Sequence, residues 1–325
     1  NPLADLSLPG ARHDSDKIVG TATATLGIWD NLKFTTNFGY DLSFWGTQGY
    51  GFTYYMSSKN YRSTTEGYKS MNRAFVWQFE NVLSYEKSFG KHNVAATIGQ
   101  SASSNMGGGV GATRRGLLEE NPYKAGIWFT DAKNFSETDL GYGSIYNPHR
   151  LSSIFARASY NYDERYMFQA SIRRDGSSNF GANYLYGIFP SFSMGWNFTN
   201  EQFLKDNEIL SKGKLRASWG KNGNENIGQY AFTTSMYQGN NYVFGKGANE
   251  TIVNGAKPSG FANPDVHWEE SAQTDIGVDL EFLKGSITFS ADWYRKLTIG
   301  MLMTRPIPAY AGDSAPTANV GTMEN

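Results

Sequence analysis

The stretch "WEESAQTDIGVDLEF", residues 268–282, alternates along its whole length. Its even positions read Trp268, Glu270, Ala272, Thr274, Ile276, Val278, Leu280 and Phe282. Its odd positions read Glu269, Ser271, Gln273, Asp275, Gly277, Asp279 and Glu281. A period of two puts the two sets on opposite faces of a β-strand, one largely apolar and the other fully polar. The run that follows, "SITFSADWY", does the same, with Ile287, Phe289, Ala291 and Trp293 set against Ser286, Thr288, Ser290 and Asp292. Only "LKG" lies between them, which is a tight turn, so the pair reads as a β-hairpin.

The pattern recurs. Residues 17–28 and 31–44 flank "WDN", residues 72–86 and 92–105 flank "KSFGK", and residues 150–162 and 165–175 flank "DE". Residues 187–198 and 213–221 are joined by "TNEQFLKDNEILSKG", which has room for one helical turn, and the 266–282 and 286–302 pair completes the series. This gives about ten strands in five hairpins, with no α-helix beyond two turns and no domain boundary. The connections between hairpins run roughly over 45–70, 106–149, 175–186, 222–265 and from 303 onward. Most are long, rich in Gly, Asn, Ser and Tyr, and such loops usually carry function.

Short turns at one end and long loops at the other is the arrangement of an outer-membrane β-barrel. Strand length agrees: many strands read as 11 to 15 residues, whereas globular strands centre on about 5–6 and a tilted membrane strand needs about 9–11. Trp29, Tyr85, Phe89, Tyr160, Tyr162, Tyr166, Trp196, Phe198 and Phe282 gather near the short turns, where an interfacial girdle would lie. The polar strand faces then line water inside the barrel, so Arg157, Arg173, Gln169, Lys214, Arg216, Asp275, Asp279 and Glu281 need no partner in an apolar core. Pro190 lacks a ladder donor and predicts a bulge.

Composition narrows the function. A formal net charge of −1 over 325 residues offers no basic face for nucleic acid. The absence of cysteine removes disulfides, thiolate metal sites and a cysteine nucleophile. No signal peptide and no apolar helix long enough to span a bilayer is present in this sequence, which says nothing against strands that cross one.

The block "LSSIFARASYNYDERYMFQASIRRDGSSNFGANYLYGIFPSFSMGWNFTNEQFL" closely resembles SusC/RagA-type TonB-linked outer-membrane proteins of Bacteroidetes. The resemblance is carried by "FARASYNYDERY", "RRDGSSNFG", "GIFPSFSMGW" and the acidic "NEQFL" turn. It continues in "KLRASWGKNGNENIG", "IGVDLEFLKGSITFSADWYRKLTIGML" and "ANVGTMEN", and covers residues 150–325 closely and 15–105 more loosely. It implies an all-β fold, an antiparallel transmembrane β-barrel of 22 strands enclosing a plug. On that reading residues 1–325 are one partial barrel domain, roughly a third of a transporter, with the plug, the amino-terminal TonB-contacting part and the remaining carboxy-terminal strands lying elsewhere. The implied activity is TonB-dependent import of an oligosaccharide or peptide through the outer membrane, with a SusD-like lid lipoprotein, without catalysis or cofactor. Transporter–lipoprotein pairs joined as a dimer, and outer-membrane lipid, complete the implied partners.

The loop "RRDGSSNFG" (173–181) is expected at the long-loop end as a hairpin tip, with Arg and Asp paired or hydrated. A hydrolase reading of Asp175 with Ser177 or Ser178 needs a nearby base, and His13, His92, His149 and His267 are scattered. A phosphate cradle fails because no strand–loop–helix unit follows. Polar groups expected on the lumen side or in loops are Arg157, Arg173, Asp175, Arg216 and Asp279. Aromatic-rich loops put forward Trp45, Tyr54, Trp128 and Tyr242 for stacking on sugar rings or docking a protein; the competing reading has these loops packing on one another. "DAKNFSETD" and "NGNENIGQ" lack the spacing of a dedicated calcium loop, so no metal site is expected. "TRRG" (113–116) followed by "EE" reads as a solvated charge pair. Two other readings stay open: a surface binding or adhesion β-protein without transport, and a soluble β-sandwich carbohydrate-binding module.

Overall fold

The computed structural model describes residues 11–51, 53–116, 141–204, 207, 209–239, 241–247 and 250–325. β1 (Arg12–Trp29) and β2 (Leu32–Gly51) form the first hairpin, and a short ribbon of β3 (Tyr54–Ser57) and β4 (Asn60–Arg62) follows. β5 (Glu66–Phe89) with β6 (His92–Arg115), β7 (Gly141–Tyr162) with β8 (Tyr166–Ser177), and β9 (Tyr186–Asn197) with β10 (Leu210–Asn224) are the next three hairpins. The segment after β10 folds back on itself through β11 (Met236–Gln238), β12 (Tyr242–Phe244), β13 (Thr251–Val253) and β14 (Ala256–Pro258), with β11 paired to β14 and β12 to β13. β15 (Glu269–Phe282) and β16 (Ile287–Ile299) make the fifth hairpin. β17 (Leu302–Thr304), β18 (Thr317–Asn319) and β19 (Thr322–Glu324) end the chain.

Eleven strands pair in the order β1-β2-β5-β6-β7-β8-β9-β10-β15-β16-β19, an antiparallel series of neighbours that leaves β1 and β19 unjoined. The ten long strands of the five expected hairpins are all present, and β19 adds one more. No α-helix occurs among the described residues; Phe198–Asn200 forms a single 3-10 turn where one helical turn was expected. The turns are built for reversal: Asp163 and Glu164 both adopt positive φ, 53° and 55°, the twist-matched two-residue hairpin turn.

Strands run further than the pattern predicts. β2 continues through Gly51, β5 starts at Glu66, β6 ends at Arg115 and β7 starts at Gly141, so parts of the expected long loops 45–70 and 106–149 are strand. Gly, Asn and Ser weaken the alternation there without breaking the ladder. Pro190 sits in register opposite Ile172 without a bulge. The ladder between β9 and β10 ends at Gly220 opposite Ser191, so the missing N–H leaves no gap in it. Within "TRRG", the Arg115 Nε donates to Glu66 at 3.0 Å. Glu119 and Glu120 lie outside the described residues.

The chain divides into two compact units, one made of residues 1–22, 38–78 and 103–148, the other of 23–37, 79–102 and 149–325. In the first, His13 contacts Thr47 at 3.1 Å and Lys17 pairs with Asp41 at 2.6 Å, all at odd positions of β1 and β2. In the second, side chains alternate cleanly. Ile154 on β7, Phe168 and Ile172 on β8, Ile188, Phe192 and Met194 on β9, Leu215 and Trp219 on β10, and Phe289 and Trp293 on β16 share one face and are exposed. An apolar face left open along this many strands is what lipid, not water, covers.

Among the described residues the buried core is small and joins one strand residue, Phe189 of β9, to three residues of the connections. Phe180, Phe189, Val266 and Trp268 are buried, with Ile227, Phe232 and Leu302 packed against them. Phe180 and Trp268 rings lie 5.1 Å apart, Phe189 and Trp268 5.4 Å. Trp268, expected on the apolar face of a strand, precedes β15 and belongs to this core. Its indole N–H donates to the Leu185 carbonyl at 3.2 Å.

Candidate functional site

The polar face of the second unit carries the charged groups that the sequence singles out. Arg157 on β7 donates to Gln169 on β8 at 2.5 Å. Arg173 donates to Asp175 at 2.6 Å and to Ser153 at 2.9 Å, and its guanidinium lies 5.6 Å from the centre of the Phe155 ring. The hydroxyls of Ser171 and Ser191 meet at 2.7 Å. Arg216 on β10 grips Asp279 on β15 with two bonds, 2.6 and 3.0 Å, and reaches Asp292 on β16 at 2.9 Å. Ser290 completes the group by donating to Asp279 at 2.6 Å.

Register explains these contacts. Ser153 opposes Asp175, Arg157 opposes Ser171, Lys214 opposes Asp279 and Asp279 opposes Ser290, so alternate positions of neighbouring strands converge on one face. Of these groups, Gln169 and Arg216 also line an open concavity of about 470 Å³, together with Ser193, Lys214, Ser218 and Asp275. Such a face offers hydrogen-bond donors and acceptors in quantity, and among the described residues no cluster of three or more His, Cys, Asp or Glu suited to a metal. It can hydrogen-bond a hydrated, polar molecule.

"RRDGSSNFG" is not a tip. Residues 173–177 belong to β8, and Ser177, Asn179, Phe180 and Gly181 are buried. Arg173 and Asp175 do pair, as expected. Beyond the strand the chain turns inward because Phe180 anchors in the aromatic core, and Asn179 donates to the Glu225 carbonyl at 3.2 Å. His149 approaches the Glu225 carboxylate at 3.3 Å. These loops therefore pack on one another, which the competing reading of the loops anticipated for aromatics in general.

The proposed aromatic contacts separate. Trp45 lies within β2, at an odd position in the series that includes Asp41 and Thr47, and not in a loop. Tyr54 opens β3 and is exposed. Tyr242 opens β12, exposed, with its ring edge-on to Phe244 at 4.8 Å. Trp128 lies outside the described residues.

Sequence reasoning missed the role of one turn carboxylate. Glu201 accepts from the Tyr166 hydroxyl at 2.6 Å, Trp196 Nε1 at 3.2 Å and Arg165 at 3.0 Å. Arg165 also holds Asp163 at 2.8 Å, and Lys91 holds Asp163 from the neighbouring turn at 2.8 Å. The Tyr166 hydrogen bond, joined by those of Trp196 and Arg165, holds the Glu201 carboxyl below its ordinary range. The Lys91 ammonium does the same for Asp163. Glu201 in return raises Arg165. The signal was present in the opposite charges of "DER" and "NEQ", but nothing in one sequence says which turns are neighbours.

Residues 5–325 match the family described as TonB dependent receptor-like, beta-barrel. A TonB-dependent receptor of Formosa agariphila is 35% identical over 76% of this chain and 24% of its own length. TonB-dependent receptor SusC of Bacteroides thetaiotaomicron is 37% identical over 54% of this chain and 17% of its own. The chain thus spans about a quarter or less of the curated relatives it matches. Among solved structures, the RagAB peptide transporter superposes with a TM-score of 0.83 at 24% identity, over 99% of this chain and 34% of the other. These relatives are outer-membrane β-barrel proteins, and the family is one of receptors and transporters, not of enzymes. A partial, antiparallel barrel wall with one apolar and one polar face is what such a protein supplies, and this chain belongs to the TonB-dependent receptor β-barrel family.

Proposed function

We propose that the chain forms part of the wall of a TonB-dependent importer that carries an oligomeric nutrient, an oligosaccharide or a peptide, across the outer membrane of a Bacteroidetes cell. It works with a SusD-like surface lipoprotein, and TonB supplies the energy through a part of the transporter outside this segment. The observation that carries the reading is the polar face: Arg157, Arg173, Asp175, Arg216 and Asp279 all lie on it, paired to strand neighbours, while the opposite face is exposed and apolar. A barrel wall needs this division, with lipid on one side and a wet passage on the other. The likeness to SusC and to the RagAB structures supports import as the activity. The RagAB peptide transporter is only 24% identical to this chain, so both substrate classes stay in the proposal.

Trp45, Tyr54 and Tyr242 are the proposed substrate or lid contacts in the described chain. The test uses the full-length transporter, expressed in its own host and purified in detergent. A co-purifying lipoprotein, together with a growth defect on an oligomeric nutrient when the gene is deleted, is the expected result. Normal growth of the deletion strain on glycans and peptides alike, with no lipoprotein retained, would end the proposal. Alanine at Trp45, Tyr54 and Tyr242 is expected to lower uptake several-fold while the barrel still inserts; unchanged uptake removes these residues from the site.

A further inference from the structure

Arg173 and Arg174 are sequence neighbours, and alternation sends them to opposite faces of β8. Arg173 turns to the polar face and pairs with Asp175. Arg174 shares the other face with Phe168 and Ile172, opposite Ile154 on β7 and Ile188 on β9. It has no ion-pair partner among the described residues. Its guanidinium instead lies over the ring of Tyr186, 3.7 Å from the ring centre. The ring reaches that place because the residue beneath it is Gly176; a Cβ there would stand 2.5 Å from the Tyr186 ring. Arg150 continues the same face of β7 two residues beyond Ser152, exposed and likewise without an ion-pair partner among the described residues.

Two unpaired cations thus stand where the apolar face ends, on the side of the long loops. A guanidinium held flat by an aromatic ring keeps its edge donors free, and that edge suits a phosphate. A polar tip at the end of an apolar band is also how long basic side chains meet a bilayer surface. Arg173 on the polar face has a carboxylate, whereas Arg174 on the apolar face has none, which leaves the charge to be balanced from outside the protein.

We propose that Arg174, stacked on Tyr186 and supported by Arg150, is a docking site for the phosphate-bearing headgroup of an anionic lipid in the outer leaflet. The site rests on the reading of the apolar face as the lipid-facing wall. It fixes the depth of this part of the wall in the membrane and lies apart from the polar passage.

The test places the full-length transporter in nanodiscs of phosphatidylcholine containing a minor share of phosphatidylglycerol, and counts the phosphatidylglycerol retained after transfer to detergent. Arg150→Gln with Arg174→Gln is compared with wild type and with Arg157→Gln, a polar-face control. Each lost cation is expected to weaken retention about fivefold, the effect of about 1 kcal/mol per cation at an anionic surface. The control should retain lipid as wild type does, and added salt should weaken wild-type retention. Should the double variant fail to insert, the single Arg174→Gln gives the same reading at about fivefold. Retention equal to wild type in the variant, or an equal loss in the control, overturns the proposal. Displacement of the lipid by millimolar inorganic phosphate with no dependence on the lipid present would assign the site to free phosphate and overturn it too. A protein that dissolves without detergent would instead refute the membrane-wall reading beneath it.

Discussion

Phe180→Ala is the substitution whose consequences the structure defines most sharply. Phe180 is 1% exposed and packs with Phe189, Val266, Trp268 and the half-buried Ile227, Phe232 and Leu302. It lies between β8 and β9, so no ladder bond depends on it. Truncating a buried Phe costs about 3–5 kcal/mol, from lost transfer energy and the cavity left behind. The four buried side chains of this core are worth about 1.5–3 kcal/mol each before the ordering of the loops is subtracted. The variant therefore removes a large share of what holds residues 177–185, 225–232 and 263–268 together, while the strands keep their hydrogen bonds. Amide exchange on the full-length protein should show protection in these segments falling by about a hundredfold to a few thousandfold, at roughly 1.4 kcal/mol per tenfold. Protection in the β8–β10 ladders should be unchanged. Unaltered exchange in the loops would refute the argument, because Phe180 would then not anchor them. Equal loss in the ladders would refute it as well, because loops and wall would then unfold as one unit.

Glu201 and Asp163 ionise more readily in the folded protein than their ordinary values of 4.5 and 3.8. Depressed carboxyls stabilise the fold fully above those values and lose the contribution as pH falls through the lower folded ones. Denaturation of the purified transporter should therefore show the short-turn end weakening as pH drops below about 4, and Glu201→Gln should flatten that dependence; an unchanged acid profile in the variant would contradict it. Gly176→Val drives a side chain into the Tyr186 ring and should cost about 1–3 kcal/mol in urea unfolding, with fluorescence of the full-length protein as the readout and a neutral effect as the contrary result. Arg216→Gln breaks the bonds to Asp279 and Asp292, yet the Arg216 side chain is 37% exposed, so stability should fall by only about 1 kcal/mol or less in the same assay; a loss of several would mean the cluster is shielded from water.

Much of the wall could be read from the sequence because a barrel strand states its own orientation. In β15 the carboxylates of Asp275, Asp279 and Glu281 and the apolar Ile276, Val278 and Leu280 fall on opposite faces by parity alone, and the register with β16 keeps them there. Parity is local, so it survives without knowledge of neighbours. It also holds the information that the motif "RRDG" was not asked for: residue 173 goes to the polar side and residue 174 to the apolar side, which gives two adjacent arginines unlike partners, Asp175 and the Tyr186 ring. What the sequence did not disclose depends on which distant segments meet. Phe180 in a loop of Gly, Ser and Asn resembles a solvent-exposed tip until Trp268 and Val266, more than eighty residues later, are brought against it. Glu201 reads as one charge in a polar turn until Tyr166, Trp196 and Arg165 converge on it. Strand ends failed for a different reason: Gly46, Gly49 and Gly51 dilute the alternation of β2 without interrupting its backbone ladder, and hydrogen bonding, unlike the side-chain pattern, does not need them to be anything else. Trp45 was assigned to a loop on that basis, and its place inside a strand changes what it can do. A loop Trp can move to meet a ligand, whereas one fixed in β2 must have the ligand brought to it.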